Sequence, residues 1–270
     1  MKDQIWQKIL LVRLQSPLVQ SITNYVVMNN TANALLAAGA SPIMAHAHPE
    51  MQDMVSIVGA LVINIGTLDE YWVQSMHLAI NQANTLQKPW VLDPVGAGAT
   101  PYRNAVLKEL LSLRPNIIRG NASEIMSLAQ KSVAATKGVD STQQSTDAIF
   151  AAKALNQQFG SVVCISGADD FLVDKNSIVK ISNGHPMMSR VTGLGCTATA
   201  LTGAFAAVCP DDFLLAATAA MALLGVCGQL AAARSAGPGS LQLNLLDLLY
   251  TLTEEQFMEM IQVEENLLHD

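Results

Sequence analysis

Charged and aromatic side chains are both scarce in this chain. Of its 270 residues, 14% are charged and 5% are aromatic, whereas 50% are hydrophobic, and the formal net charge is −7. The sequence contains no basic cluster, which argues against nucleic-acid binding. A composition dominated by alanine, leucine and valine is typical of an α/β protein whose mostly parallel sheet is buried between helices.

Paired cysteine motifs are also lacking. The four cysteines are Cys164, Cys196, Cys209 and Cys227, and no two of them are spaced as CxxC. Their neighbours are apolar or small, which predicts that at least three of the thiols are core residues in a reducing compartment. Residues 1–14 mix charges in an amphipathic pattern and do not resemble a secretory signal. We therefore expect a cytoplasmic protein without a zinc site.

One long stretch has no formal charge. Residues Phe213–Ala233 are apolar over about twenty positions, which is long enough to span a bilayer. Alanine and glycine make up much of this stretch, and Gln229 interrupts it. These features favour a buried helix of a large α/β domain over a membrane span, so we expect no membrane association.

Short apolar runs alternate with segments of helical periodicity. This alternation predicts right-handed βαβ units and a three-layer α/β sandwich with a mostly parallel central sheet flanked by helices. No linker divides the chain, and the polar segment 131–145 is predicted to be an exposed loop, so residues 1–270 are predicted to form one domain. The predicted parallel strands are Pro42–Ala45, Ala60–Ile65, Trp90–Leu92, Asn116–Ile118 and Val162–Ile165.

The pattern changes after Gly167. The segments Phe171–Val173 and Ser177–Ile181 flank a polar turn, which predicts an antiparallel hairpin at the edge of the sheet. Two long apolar helices are predicted next. An acidic amphipathic helix is predicted near Glu254–Leu268.

Polar side chains follow three of the predicted parallel strands. Asp93 begins a loop of small residues, Arg119 and Glu124 follow the next strand, and Ser166 follows the one after. Ligands of open α/β sheets bind where strands end, so we expect these side chains to share one site. Asp and Glu without Cys or His partners suit Mg²⁺ held largely through water. Arg offers a fork for phosphate oxygens, so the set indicates Mg²⁺ on a nucleotide.

A glycine loop precedes the first long apolar helix. In residues 193–196 two glycines stand one residue apart, and Cys196 follows them directly. Such a loop directs backbone N–H groups and the positive end of the helix dipole at one point, which suits a phosphate or an oxyanion. Residues 193–198 also match GxGxxA, with Asp211 or Asp212 downstream, so a nicotinamide-dependent oxidoreductase is an alternative. The preceding segment is a poor strand, however, which weakens that interpretation.

Two residues in the first fifty positions are candidates for ligand contact. Asn24 precedes a helix, where it can bind a ligand or cap the helix. Met44 ends a strand with a polarisable side chain that suits either an apolar ligand pocket or the core.

In this order and spacing, the motifs resemble the hydroxyethylthiazole kinase family of the ribokinase-like superfamily. The resemblance extends over nearly the whole chain. The segments that carry it are Ser21–Val26, Ser41–Met44, Asp93–Ala97, Arg119–Glu124, Ser166–Gly167 and Gly193–Cys196.

The resemblance implies a ribokinase-like fold and a reaction. The reaction is ATP-dependent, Mg²⁺-assisted phosphorylation of the hydroxyl of 4-methyl-5-(2-hydroxyethyl)thiazole in thiamin salvage, by a homotrimer with active sites at subunit interfaces. By position, the resemblance implies thiazole contacts from Asn24, Met44 and Gly193, ATP contacts from Arg119 and Ser166, and a Mg²⁺ site at Asp93 and Glu124. Position 166 is Ser where the family commonly has Thr, and the hydroxyl is kept.

The resemblance also implies a catalytic position for Cys196. It stands where most ribokinase-like sugar kinases carry an aspartate that acts as general base. A thiol has a pKa of ~8.5, which a helix N-terminus can lower, so we predict that Cys196 accepts the alcohol proton. Phosphoryl transfer through a loose transition state needs little help from a base, so its role is expected to be minor. Two alternatives within the same fold are a kinase of another heterocyclic alcohol, such as a pyrimidine, and an ATP-dependent dehydratase.

Overall fold

The computed structural model describes residues 1–132 and 144–267. The strands are β1 (Leu18–Ile22), β2 (Ser41–Ile43), β3 (Ala60–Asn64), β4 (Trp90–Asp93), β5 (Ile117–Asn121), β6 (Val162–Ser166), β7 (Asp170–Val173), β8 (Ser177–Ile181) and β9 (Val263–Leu267). The helices are α1 (Lys2–Gln15), α2 (Met28–Ala38), α3 (Met51–Ile57), α4 (Glu70–Thr85), α5 (Pro101–Ser112), α6 (Ala122–Ser132), α7 (Gln144–Phe159), α8 (Leu194–Val208), α9 (Phe213–Ala233), α10 (Pro238–Thr251) and α11 (Glu254–Met260). Short 3₁₀ helices cover His48–Glu50 and Pro186–Arg190.

These nine strands lie in one sheet, in the order β2-β1-β3-β4-β5-β6-β7-β8-β9. Neighbours from β2 to β6 are parallel, whereas β7, β8 and β9 are antiparallel. The strand β7 and the strand β8 form the hairpin that the sequence predicted. The parallel part of the sheet brings the carboxyl ends of β1, β3, β4, β5 and β6 to one edge.

Apolar residues cover both faces of the sheet. One core lies against α1, α2, α8, α9 and α10, and the other lies against α3 to α7. Adjacent residues of one strand belong to different cores, as Val91 and Leu92 of β4 and Ile117 and Ile118 of β5 do. Because both faces are covered, such strands are continuous apolar runs in the sequence. The predicted three-layer α/β sandwich is confirmed.

The uncharged stretch Phe213–Ala233 is helix α9, with the predicted bounds. By length and composition it could cross a membrane. It is packed against α1, α8 and α10, and its alanines, glycines and Cys227 are mostly buried. Small side chains let those helices approach closely, so α9 is a core helix of this fold.

Two sequence-based predictions of secondary structure were wrong. The acidic helix predicted for Glu254–Leu268 ends at Met260, and Val263–Leu267 continues as β9 beside β8. Pairing covers the open side of β8, and the charges of Glu264 and Glu265 suit the exposed edge strand that results. The strand β1 was not predicted, because Gln20 and Ser21 interrupt its apolar run although both are buried. Most of the loop predicted at 131–145 lies outside the described residues.

Helix α8 lies directly on the sheet because Gly203 presents bare backbone to it. A Cβ at this position would lie 2.5 Å from Val62 Cγ2 and 3.3 Å from Val19 Cγ1. These valines belong to β3 and β1, which end at the edge where the polar side chains gather. The close contact therefore fixes the distance between α8 and the strands β1 and β3.

We predict that Gly203→Ala destabilises the protein by up to ~2 kcal/mol. Overpacking against Val62 costs about 1–3 kcal/mol, more than the ~1 kcal/mol that alanine gains in a helix. Chemical denaturation measures the change. Gly239→Ala is the matched control, because no atom lies within 4 Å of a Cβ there. Equal stability of the two variants would contradict this account.

Candidate active site

The carboxyl ends of β3 to β6 bring the predicted site residues to one edge. Asp93 ends β4 beside Asn64 of β3, and Ser166 ends β6 beside Asn121 of β5. Arg119 lies within β5, which extends three residues beyond Ile118, the predicted end of this strand. The N-terminus of α8 faces this edge, because Gly195 lies against Arg119.

Asp93 is the centre of a buried hydrogen-bond network. Its Oδ2 accepts hydrogen bonds from Asn64 Nδ2 at 2.7 Å and from Thr199 Oγ1 at 2.8 Å. Burial raises the pKa of Asp93 to about 6, although Arg119 and these donors favour its charged form. Oδ1 makes no hydrogen bond to the described residues, so the network saturates one oxygen and leaves the other for a ligand.

Cys196 is linked to this network through two amides. Asn24 Nδ2 lies 3.4 Å from Cys196 Sγ and donates to Asn64 Oδ1 at 2.9 Å. Burial, and then the nearby Asp93 carboxylate, raises the pKa of the Cys196 thiol to about 11. The predicted lowering of this pKa by the helix N-terminus is therefore wrong, because burial and the carboxylate outweigh the dipole. At neutral pH Cys196 is a thiol.

Arg119 is a buried cation without an acidic partner among the described residues. It is 7% exposed, and its Nη2 donates to Ser166 Oγ at 2.6 Å. Its Nε has no hydrogen-bond partner, and a Cβ on Gly195 would lie only 2.8 Å from Nη1. The sequence-based expectation that Arg119 follows its strand is corrected, because Arg119 lies within β5 and is buried. A buried guanidinium with unused donors is suited to an anion.

A cavity of about 750 Å³ opens in front of Arg119. Ser166, Gly193 and Gly195 line it at the same end as Arg119. Gly193 caps α8 with φ +80°, a conformation that favours glycine, and Val27 occupies the space that a side chain would need. The volume lies within the ~300–1,000 Å³ range of small-molecule sites.

Glu124 lies beside the loop that follows Asp93. Its Oε1 accepts from Gly96 N at 3.0 Å and its Oε2 from Asn121 N at 2.9 Å. Asn121 Oδ1 in turn accepts from the N–H of Glu124 at 3.0 Å, which is the reciprocal pattern of a capping box. Each carboxylate oxygen keeps a lone pair for water. No cluster of three potential metal ligands occurs within residues 1–132 and 144–267.

Met44 and Asn24 are not brought into the cavity that Arg119 lines. Met44 is half-buried after β2, at the edge of the sheet, and its carbonyl oxygen lies 3.1 Å from His46 Nδ1. Asn24 contacts Cys196 and Asn64, and it is not among the residues that line the cavity. Tyr25 and Val26, which follow Asn24, are 59% and 63% exposed.

Three residues of the site were missed in the sequence. Asn64 and Thr199 hold Asp93, and both stand inside apolar elements where the sequence gives no local sign of their partner. Arg103 of α5 donates to the carbonyls of Ile65, Gly66 and Val95, and so fixes the loops after β3 and β4. There was little reason in the sequence to assign Arg103 to the site, because a single arginine at the start of a helix is usually solvated.

Asp170 is a further buried carboxylate in the cavity wall. Its Oδ1 accepts from Gly167 N at 3.0 Å, and burial raises its pKa to about 6.

The oxidoreductase alternative lacks the structural context that a dinucleotide-binding motif requires. A 3₁₀ helix, Pro186–Arg190, and not a buried strand, leads towards the GxGxxA segment.

Comparison with known proteins agrees with this geometry. The profile described as "Hydroxyethylthiazole kinase family" matches residues 9–255. This chain belongs to the hydroxyethylthiazole kinase family. A hydroxyethylthiazole kinase of Syntrophus aciditrophicus is 53% identical over 262 residues, covering 97% of each chain. One of Vibrio atlanticus is 55% identical over 263 residues, covering 97% of this chain and 99% of its own.

Solved structures agree with the family assignment. The structure of a hydroxyethylthiazole kinase protein from Pyrococcus horikoshii has a TM-score of 0.91 and 41% identity, covering 98% of this chain and 100% of its own. Staphylococcus aureus pyridoxal kinase in complex with ADP has a TM-score of 0.66 at 14% identity, covering 93% and 99%. At that identity the likeness concerns the fold alone. The expected ribokinase-like fold is confirmed for this member of the hydroxyethylthiazole kinase family.

We predict that Asp93→Asn raises stability at high pH. Because the pKa of Asp93 is about 6 in the folded protein and ~3.9 for an unfolded chain, the folded state binds the proton more tightly. Stability is therefore lost as pH rises from about 4 through about 6, by up to ~3 kcal/mol. Asparagine keeps an oxygen for Asn64 and Thr199 and avoids this loss.

Urea unfolding at pH 8 and pH 4 measures the effect. We expect the gain of Asp93→Asn to be largest at pH 8 and close to zero at pH 4. Asp211→Asn, at an exposed position, serves as the control. A gain that is the same at both pH values would show that burial of the charge is not its cause.

Proposed function

We propose that this chain transfers the γ-phosphoryl group of ATP to the hydroxyl of 4-methyl-5-(2-hydroxyethyl)thiazole, forming the thiazole phosphate used in thiamin salvage. The observation that carries the proposal is the buried guanidinium of Arg119. It has unused donors, lacks an acidic partner among the described residues, and lines a cavity of nucleotide size beside the N-terminus of α8. Membership of the hydroxyethylthiazole kinase family supports the choice of alcohol.

In this proposal Arg119 and Ser166 bind ATP. The guanidinium and the N–H groups of the 193–196 loop neutralise the phosphates, which is the main requirement of phosphoryl transfer. The alcohol oxygen forms a bond to the γ-phosphorus while the bond from that phosphorus to the ADP oxygen breaks. The hydroxyl approaches from the side of Asn24, Met44 and Gly193.

The donor set at Asp93 and Glu124 fits Mg²⁺. Asp93 Oδ1 makes no hydrogen bond to the described residues, and both Glu124 oxygens keep lone pairs for water. Mg²⁺ is commonly held by one or two carboxylates together with water and substrate phosphates. When bound, the metal would neutralise phosphate charge. The network of Asn64 and Thr199 orients the Asp93 carboxylate towards that end.

Cys196 is proposed as a weak base beside the alcohol. Its pKa of about 11 leaves only a small fraction as thiolate at neutral pH, and only that fraction can accept the alcohol proton. In a loose transition state the attacking oxygen has formed little of its bond to phosphorus, so its proton is still held and little help from a base is needed.

The assembly and the domain organisation belong to the same proposal. We infer one domain over residues 1–270, because the sheet extends from β1 to β9 and the family profile spans residues 9–255. We infer a homotrimer with thiazole sites between subunits from the resemblance to the family, and the exposed Tyr25 and Val26 beside Asn24 offer apolar surface for such an interface. Four free cysteines support a reducing, cytoplasmic location.

The proposed activity is tested by ADP release with and without the thiazole alcohol. Turnover that requires this alcohol supports the proposal, whereas turnover only with a pyrimidine alcohol would replace the proposed substrate.

We predict that Arg119→Met raises the KM for ATP about 10- to 100-fold, since charge-assisted hydrogen bonds to phosphate are lost. The KM for the alcohol should stay nearly unchanged. Thermal unfolding is the control, because removing a buried charge should not lower Tm.

We predict that Cys196→Ala lowers kcat without abolishing it, and that Cys196→Asp retains or gains activity. Positioning and charge neutralisation remain in both variants, and a carboxylate is more readily ionised than the thiol, so more of it is present as the base. Steady-state kinetics with measured ATP and thiazole binding checks both. Complete loss of turnover in Cys196→Ala with intact binding would refute the minor role. A folded but inactive Cys196→Asp would argue against the correspondence with sugar kinases.

A further inference from the structure

The cavity in front of Arg119 has an apolar end. One face of α9 supplies Met221, Leu224 and Gly225 to its wall, and Met188 of the 3₁₀ helix lines it as well. Positions 221, 224, 225 and 228 follow helical spacing, so they lie on one side of α9. Arg119 marks the phosphate end under the proposed function, on which this inference rests. The apolar end is then the place for the nucleotide base.

Met188 lies against the bare backbone of α9 at Gly228. A Cβ on Gly228 would overlap the Sδ and Cε atoms of Met188. The overlapping atoms are the far end of a flexible side chain, so an added methyl would displace Met188 and leave the fold intact. Gly228 therefore determines where the Met188 side chain lies.

The polar side chains at this end are bonded to the protein itself. Asn183 uses both amide hydrogens, to Gln229 Oε1 and to the carbonyl of Met260, each at 2.8 Å. Its Oδ1 accepts from Gln262 N at 2.8 Å. Ser189 Oγ donates to Pro186 O at 2.7 Å.

Besides Thr192, whose exposed side chain also lines the cavity, His185 is the remaining polar side chain of this segment. Its Nδ1 accepts from Met187 N at 3.2 Å, and the ring is otherwise exposed. A base bound against Met188 and the face of α9 that carries Met221 and Leu224 would thus meet mostly apolar atoms, with few polar groups able to hydrogen-bond its edge.

We propose that the base is held by apolar contact with Met188, positioned by Gly228, and that the site accepts purine and pyrimidine nucleoside triphosphates alike. A site that hydrogen-bonds a substrate rejects analogues that leave its polar groups unpaired, often by a factor of 10⁴ or more. Few protein groups at this end would lose a hydrogen-bond partner if a different base were bound.

The first test measures kcat/KM for ATP, GTP, CTP and UTP with saturating thiazole alcohol, together with calorimetric binding of each nucleotide without the alcohol. We expect the four values to lie within about tenfold, with purines favoured by their larger stacking area. A preference above about a hundredfold for one base would overturn the inference and leave the kinase proposal standing. Binding of all four without turnover would sink the proposed function alone. Binding of none would overturn both.

The second test is a cycle of Gly228→Ala and Met188→Ala. Gly228→Ala should raise the KM for ATP several-fold, with kcat and the KM for the alcohol nearly unchanged. In the Met188→Ala background the same change should have no effect, because the atoms it displaces are gone. Additive effects, or a normal KM in Gly228→Ala, would overturn the inference. Gly239→Ala, where a Cβ meets nothing within 4 Å, is the control.

Discussion

A buried guanidinium without a counter-ion in contact is the constraint on which the active site depends. Moving Arg119 out of water is costly, and its one side-chain hydrogen bond, to Ser166, offsets only part of that cost. The carboxylates of Asp93 and Asp170 act on it from a distance, through space. The fold thereby keeps positive charge unneutralised at a point where a phosphate can supply the missing partner.

The same argument explains why burying the ionised carboxylate of Asp93 lowers the stability of the folded protein. Asp93 is fully buried, and two donors and a distant arginine do not restore the free energy of its hydration. The donors come from β3 and α8, so the carboxylate oxygen is oriented by two elements that pack through Gly203. The fold thus sacrifices stability to hold a charged group in one orientation, as active sites commonly do.

Much of the fold could be predicted from the sequence, because buried parallel strands are continuous apolar runs separated by helical patterns. The positions of Asp93 and Ser166 at strand ends followed from the same pattern, whereas Arg119 lies inside β5. The partners Asn64 and Thr199 could not be predicted from the sequence. Strand order and helix packing bring them to Asp93, and neither can be read from spacing along the chain. β9 was missed because its pairing with β8 is long-range, whereas its acidic residues resemble those of a solvated helix. The pKa of Cys196 was mispredicted because sequence shows the helix terminus but not the depth of burial.

The side chain of Asn183 connects the turn between α11 and β9 to the wall of the cavity. Its side chain holds the carbonyl of Met260 and the N–H of Gln262, while its own backbone leads into the segment that lines the cavity. The turn between α11 and β9 is therefore part of the scaffold behind the proposed nucleotide site. Changes in that turn are distant from Arg119 in sequence, yet only one side chain separates them from the wall against which a base would rest.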